Sequence, residues 1–254
     1  MFHNPVAPPV VGVPECYYAS PLVAGLTDRV DLSLRVLPAD GLAAALETHA
    51  CACALVSPAV LLHSSELSVL PGAGVVARET APTERLLTAL PLEAIRRIAV
   101  LPGAEHHETV VRVLFAERGI TPPTFRPGVE GGEDARLVSG NAGLAVSRET
   151  PGFDLGSLWL ETTGLPLVLG VWACTTTAPS RMLRHVLGES ARQGEAYQAA
   201  NNTDRPALCT IEQDALDHLY FRLLSLESDS VRALHTLALR HTSGETIAES
   251  IVFC

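Results

Sequence analysis

Residues 154–173 have the sequence DLGSLWLETTGLPLVLGVWA, and this stretch carries the clearest structural signal in the chain. Residues 154–161 predict a short helix, and the apolar run 167–173 predicts a long buried strand because no charged residue interrupts it. A helix followed by a buried strand is one part of an alternating α/β arrangement. The sequence on both sides of this stretch extends the same alternation.

The segment before this stretch completes a second α/β unit over roughly residues 92–172. An apolar run predicts a strand at 98–101, followed by a helix whose apolar face includes Leu114 and which Gly119 ends. A further strand is predicted at 136–139. The unit therefore begins and ends with strands, as expected for one lobe of an α/β protein.

The N-terminal region shows the same alternation in the order β-α-β-α-β-α. Apolar or alternating runs predict the strands, and proline at a first helical turn is consistent with the helix starts. This order implies a parallel sheet whose strand ends carry the functional loops. The predicted strands are 10–13, 30–36 and 52–56, and the predicted helices are 21–26, 41–49 and 58–62.

The C-terminal region is predicted to be helical. Pro179 opens one helix, and Thr177 and Asp229 are plausible N-caps. Apolar residues at helical spacing mark the faces of two more helices. These residues are Leu216, Leu219, Tyr220, Leu223 and Leu224 in one helix, and Val231, Leu234, Leu237 and Ala238 in the other.

Two α/β units and a helical tail predict two lobes with a cleft between them. The chain is expected to cross between lobes in the Pro/Gly/Ala-rich stretch 71–91 and again in 172–178. One lobe is predicted to comprise residues 1–85 and 176–254, because helices of this length need a surface on which to bury their apolar faces. The other lobe is predicted to comprise residues 86–175.

Composition and charge exclude several classes of protein. The 254 residues are 47% hydrophobic and 18% charged, which predicts a folded globular chain. A net charge of −10 with scattered arginines argues against nucleic-acid binding, and the complete lack of lysine excludes a Schiff base or a P-loop lysine. No apolar run approaches the ~18 residues of a membrane span, and the six cysteines are irregularly spaced, so we expect a cytoplasmic protein without a disulfide framework.

Several segments together resemble the chorismate dehydratase family of the futalosine route to menaquinone. They are 12–22 (GVPECYYASPL), 54–62, 91–100, 110–118 and, most specifically, 154–173. The last segment is similar to the family's Asp-Leu-Gly-x-x-Trp, Thr-Gly-Leu-Pro and Val-Trp-Ala signature. The resemblance implies an α/β, two-lobe periplasmic-binding-protein-like fold of type II, with the ligand in the cleft and a helical C-terminal tail.

The resemblance also implies an activity. The family removes water from chorismate to leave a 3-enolpyruvyl benzoate, with no metal or organic cofactor and with the substrate's side-chain carboxylate as the proposed base. Such a site mainly positions a dianion and stabilises developing negative charge. The implied partner is therefore a small molecule, with no nucleic acid and no membrane, and we expect a monomer or homodimer.

Two residues are assigned a catalytic role through the resemblance. Tyr18 occupies the place of a family asparagine near the N-terminus, and Thr83 aligns with a functional serine before the first crossing. Thr83 keeps the hydroxyl, whereas Tyr18 does not keep the amide. Both are expected on the cleft face of the first lobe, within reach of one ligand.

The expected substrate-binding residues lie at strand ends and in the loop after the strand at 98–101. In the family this loop is rich in Ser, Thr and Arg, but here it has the sequence PGAEHHE over residues 102–108, whose glutamates would repel an anion. Adjacent histidines on a helix point about 100° apart, which disfavours a shared metal. An exposed helix start is favoured, and a cleft position in which one histidine hydrogen-bonds the ligand is the alternative. The assigned residues are Tyr17, Ser57, Gly103, His106, His107 and Asn141, and no metal ligand is assigned.

Three functions therefore remain open. The first is a hydro-lyase acting on chorismate. The second is a diverged binding protein for another small aromatic or carboxylate ligand, favoured by the changed asparagine, the changed loop and the negative charge. The third is the later enzyme of the same route, which releases the dihydroxynaphthoate product and shares the fold.

Overall fold

The computed structural model describes residues 7–128, 131–175, 178, 180–200, 210–241 and 247–254. The predicted alternation of strands and helices is present in both α/β units. In chain order the strands are β1 Val10–Pro14, β2 Ser33–Leu37, β3 Cys53–Val56, β4 Leu67–Ala77, β5 Arg85–Leu87, β6 Arg97–Val100, β7 Thr124–Pro127, β8 Ala135–Val138, β9 Gly152–Asp154, β10 Val168–Thr175, β11 Leu219–Tyr220 and β12 Val252–Phe253. The helices are α1 Ser20–Val23, α2 Ala39–Glu47, α3 Pro58–Leu61, α4 Glu108–Glu117, α5 Gly140–Leu144, α6 Leu155–Thr163, α7 Ser180–Ala200, α8 Thr210–Asp217 and α9 Ser225–His241.

The larger sheet has seven strands, in the order β11-β4-β10-β3-β1-β2, with β12 also pairing with β4. β1 is parallel to β2 and β3, whereas β10 is antiparallel to β3 and β4. Every residue of β10 is buried, as its continuous apolar sequence predicts. The predicted lobe bounds place this strand in the second lobe, but its pairing partners are strands of the larger sheet.

The smaller sheet has five strands, in the order β7-β6-β8-β5-β9. β6 is parallel to β7 and β8, and β5 is antiparallel to β8 and β9. The chain enters this sheet through residues 78–84 and leaves it through α6, which leads into β10. Two sheets joined by two chain crossings agree with the predicted fold class.

The stretch 71–91 was predicted to be a crossing between the lobes, but only part of it is one. Its first part belongs to β4, a long strand of the larger sheet, and residues 85–87 form β5. The small residues serve close packing of strands: a Cβ on Gly74 would lie 2.8 Å from the carbonyl oxygen of Gly170 in β10. Glycine content was therefore misleading as a loop signal here.

The C-terminal helices differ from prediction in their bounds. α8 ends at Asp217, and Leu219 and Tyr220 form a short strand because they pair with β4. α9 begins at Ser225, so Asp229 lies inside the helix and is not its N-cap. α7 packs against α1 and β4, and α9 packs against α4, α3 and β10. Thr177 and Pro179 lie outside the described residues.

The edge strand β2 is shorter than the predicted 30–36. Val30 is 94% exposed and precedes the strand, and Val36 is 61% exposed within it. An edge strand pairs on one side only, so alternation alone overstated its burial. Among the helices that the structure describes, none is long and apolar enough to cross a membrane.

Candidate active site between the two sheets

A cavity of about 120 Å³ lies where β1 and β3 end, facing the 3₁₀ turn Glu105–His107 that follows β6. Residues from elements of both sheets line it, and it opens at the carboxyl ends of parallel strands, where α/β proteins bind ligands. The polar lining residues are Tyr18, Asp40, Ser57, Glu105 and His106. The apolar lining residues are Pro14, Ala39, Leu42, Ala43, Leu55, Val56, Val60, Leu169 and Gly170.

Tyr18 lies on the 3₁₀ turn that follows β1 and is 8% exposed. Its ring packs edge-on against Tyr17, with centroids 5.4 Å apart and an interplanar angle of 71°. Burial, together with the nearby Cys16 and Glu84, raises the pKa of the Tyr18 hydroxyl well above its ordinary value. The hydroxyl therefore stays protonated and serves as a hydrogen-bond donor.

Ser57 ends β3 and begins α3. Its Oγ accepts a hydrogen bond from the backbone N–H of Ala59 at 3.3 Å, which is an N-cap interaction. The same residue lines the cavity. The N-cap interaction therefore leaves Ser57 in a position where it also forms part of the cavity wall.

Thr83 is 2% exposed and does not line the cavity. Its hydroxyl donates to Oε1 of Glu84 at 2.9 Å and lies 2.9 Å from the hydroxyl of Tyr17. A hydroxyl has one proton, so Tyr17 must be the donor in the second bond. Thr83 was expected beside Tyr18 at one ligand, whereas its hydroxyl is bonded to Tyr17 and to a buried carboxylate.

That carboxylate, Glu84, was not singled out from the sequence. Its Oε1 also accepts the N–H of Gly140 at 3.1 Å, and its Oε2 lies 2.7 Å from Nε2 of His107. Burial alone would raise the pKa of Glu84, but the charge and hydrogen bond of His107, with a hydrogen bond from Ser139, lower it to about 2. Glu84 stands between the polar residues Thr83 and Arg85, so no local pattern indicated that its carboxylate is buried.

His106 and His107 are not an exposed helix start. They lie on a 3₁₀ turn with ring centroids 4.1 Å apart, so the 100° divergence expected for an α-helix does not separate them. His107 is 2% exposed, and its Nδ1 has no hydrogen-bond partner among the described residues. His106 lines the cavity, and burial together with the charge of His107 lowers its pKa to about 3, so it is neutral.

Asn141 and Gly103 lie away from the cavity lining. Asn141 links the two units, because its Oδ1 accepts the N–H of Tyr17 at 3.0 Å and its amide donates to the carbonyl of Glu15 at 3.1 Å. Gly103 adopts a φ of 88° and donates its N–H to Glu105 at 2.8 Å. Both residues shape the loops around the cavity.

The charge of the lining is unusual for a site that holds an anion. Asp40 and Glu105 contribute carboxylates, and among the described residues no arginine lines the cavity. Hydrogen-bond donors are supplied instead by Tyr18 and Ser57, together with neutral His106. The cavity can therefore bind a small ligand through neutral groups.

The two sheets, the two crossings and the cavity between them define a periplasmic-binding-protein-like protein, and solved structures support this class. AF1704 from Archaeoglobus fulgidus has a TM-score of 0.70 at 16% identity, covering 94% of this chain and 98% of that one. The alkanesulfonate-binding protein SsuA from Xanthomonas axonopodis pv. citri, bound to MOPS, has a TM-score of 0.64 at 15% identity, covering 98% and 97%. The Candida albicans CA3427 gene product, described as having the generic periplasmic binding protein fold, has a TM-score of 0.59 at 10% identity, covering 98% of both chains.

Within that class the sequence is more specific. The chain belongs to the menaquinone biosynthesis family, whose pattern it matches over residues 9–240. None of the curated proteins matches the sequence significantly. Family membership agrees with the resemblance noted from residues 154–173.

Proposed function

We propose that the protein is a hydro-lyase of menaquinone biosynthesis that removes water from chorismate to give a 3-enolpyruvyl benzoate. The observation that carries the proposal is the cavity between the two units, lined by Tyr18, Ser57 and His106, in a chain of the menaquinone biosynthesis family. In this proposal the substrate is a small molecule held between the two lobes. The lobe bounds, a cytoplasmic location and a monomeric or homodimeric state belong to the same proposal.

The reaction requires no covalent bond between the substrate and the protein. A ring C–H bond breaks, its electron pair enters the ring, and the C–O bond of the ring hydroxyl breaks, so that the proton and hydroxide leave together as water. The resemblance implies that the substrate's own side-chain carboxylate is the base that removes this proton. The protein's task is then to hold the ring and to stabilise the departing hydroxide.

Tyr18 is the residue best suited to that task. Tyr18 lines the cavity and its raised pKa keeps its hydroxyl protonated; this hydroxyl also bonds Cys16, and we assign it as the donor to the departing hydroxyl group. The hydroxyl of Tyr17 donates to that of Thr83, and the hydroxyl of Thr83 donates to Glu84. We therefore assign Thr83 a positioning role instead of direct contact with substrate.

Incubation of the purified full chain with chorismate tests the proposal. The expected result is loss of chorismate and stoichiometric appearance of the aromatic enolpyruvyl product, followed by absorbance and chromatography. Unchanged chorismate at high protein concentration would refute the hydro-lyase. Cyclic futalosine-type compounds in parallel reactions test the later enzyme of the route.

A second function, a binding protein for a less anionic aromatic ligand, is favoured by one observation. Asp40 and Glu105 line the cavity, and none of the described residues that line it is an arginine, which disfavours a dianion. A thermal-shift screen separates the two proposals, because a ligand that binds only the folded state raises the melting temperature. Stabilisation by neutral aromatics but not by chorismate would support the binding protein.

A further inference from the structure

We propose that Glu84, His106 and His107 form a binding site for one first-row divalent transition metal of the zinc type, reached from the cavity through His106. The proposed hydro-lyase does not require such a site. The inference therefore does not depend on the proposed function, although it bears on how that function would handle an anionic substrate.

The donor set is the first step of the argument. One possible ligand atom from each of the three residues lies within 4.8 Å of the others. Two imidazoles and one carboxylate are ligands that zinc, nickel and cobalt accept, and three protein ligands with one open position are typical of reactive zinc sites. Within the described residues this is the one group of histidine, cysteine, aspartate and glutamate side chains that meets this spacing.

The surroundings of Glu84 are the second step. Thr83 and the N–H of Gly140 both bind Oε1, which fixes the carboxylate and directs Oε2 towards Nε2 of His107 at 2.7 Å. Hydrogen bonds of this kind orient the ligands in metal sites. A metal ion would replace the proton that these two atoms share.

His107 supplies the third step. Its Nδ1 is buried, and within the part of the chain that the structure describes it has no hydrogen-bond partner, although buried polar atoms are almost always hydrogen-bonded in native proteins. The contact with Glu84 therefore uses Nε2 alone. With Nε2 on a metal ion, Nδ1 is the nitrogen that would take the further hydrogen bond by which ligating histidines are usually oriented.

The cavity supplies the last step. His106 lies on the cavity wall, so an ion bound to it would face the space that a ligand occupies. Asp40 and Glu105 also line the cavity and add negative potential, which favours a cation. A divalent ion would also offset the repulsion that these carboxylates exert on an anionic ligand.

Cobalt(II) binding to the metal-stripped full chain tests the site. We expect visible d–d absorbance that saturates at one equivalent of Co²⁺ and disappears when Zn²⁺ is added. His106→Ala should abolish this absorbance, and because His106 is only partly buried, the variant is expected to fold. His185→Ala is the matched control: His185 is a 75%-exposed side chain beside Glu189, and its loss should leave the titration unchanged.

Two further variants keep the proposal open to refutation. Glu84→Gln and His107→Gln should each weaken Co²⁺ binding at least tenfold, with circular dichroism to confirm folding. No absorbance with the wild-type chain, or absorbance that survives His106→Ala, would overturn the site. Chorismate turnover is measured separately on metal-free and metal-loaded protein, so loss of activity and loss of metal binding remain distinguishable.

Discussion

Nε2 of His107 lies 2.7 Å from Oε2 of Glu84, and the two side chains are 2% and 1% exposed. Glu84 immediately precedes β5, and His107 immediately precedes α4, so this contact holds the end of the first crossing against the smaller sheet's first helix. Thr83 and Tyr17 extend the contact to the loop after β1. One buried carboxylate therefore connects both units beneath the cavity.

The first prediction concerns this pair. Glu84→Ala should lower the free energy of unfolding of the metal-free protein by roughly 3–5 kcal/mol, because removal of one partner leaves buried donors without an acceptor. Urea unfolding measures the change. Glu93→Ala, at an exposed glutamate, is the control and should stay within about 0.5 kcal/mol of wild type. A loss below about 1 kcal/mol for Glu84→Ala would show that the pair contributes little.

The second prediction concerns the buried hydroxyls. Thr83→Val should destabilise the fold by about 1–3 kcal/mol, because it leaves the Tyr17 hydroxyl and Glu84 each short of a partner. Tyr17→Phe should cost less, and the double variant should cost less than the sum of the two changes. Strict additivity in chemical denaturation would mean that the two hydroxyls do not interact.

The third prediction concerns Tyr18. Under the proposed function Tyr18→Phe should lower kcat by roughly 10²–10³-fold, the usual effect of losing one donor to developing negative charge, with little change in melting temperature. Tyr220→Phe is a matched control, since its hydroxyl donates to Glu227 at 2.9 Å and its ring does not line the cavity. Equal rates for the two variants in the chorismate assay would remove Tyr18 from the chemistry.

The fourth prediction concerns Gly140, which has a φ of 54° and donates its N–H to Glu84. A Cβ at this position would lie 2.8 Å from Sγ of Cys16. Gly140→Ala should therefore destabilise the protein more than Gly119→Ala, where φ is 69° but the space is open. Thermal unfolding measures both, and adding Cys16→Ala should restore part of the loss. Equal losses for both alanine variants would contradict this explanation.

The local sequence was sufficient to predict much of the fold. Asp154 caps α6 by accepting the N–H of Ser157 at 2.8 Å, Gly164 ends the helix at a φ of 70°, and the uninterrupted apolar run that follows becomes β10. These features depend on residues within a few positions of one another, so their spacing is visible in the sequence. The same holds for Ser57 at the start of α3.

No comparable pattern in the sequence predicted the positions of β4, β11 and the buried carboxylate. Leu219 and Tyr220 have helical spacing with Leu216 but pair with β4, because an unpaired strand edge gains more from them than another helical turn would. Glu84 and His107 are 23 residues apart in sequence, and Tyr17 and Asn141 are 124 apart. Contacts between such distant residues leave no periodic pattern, because they arise only when elements far apart in the chain pack together and must satisfy each other's buried polar groups.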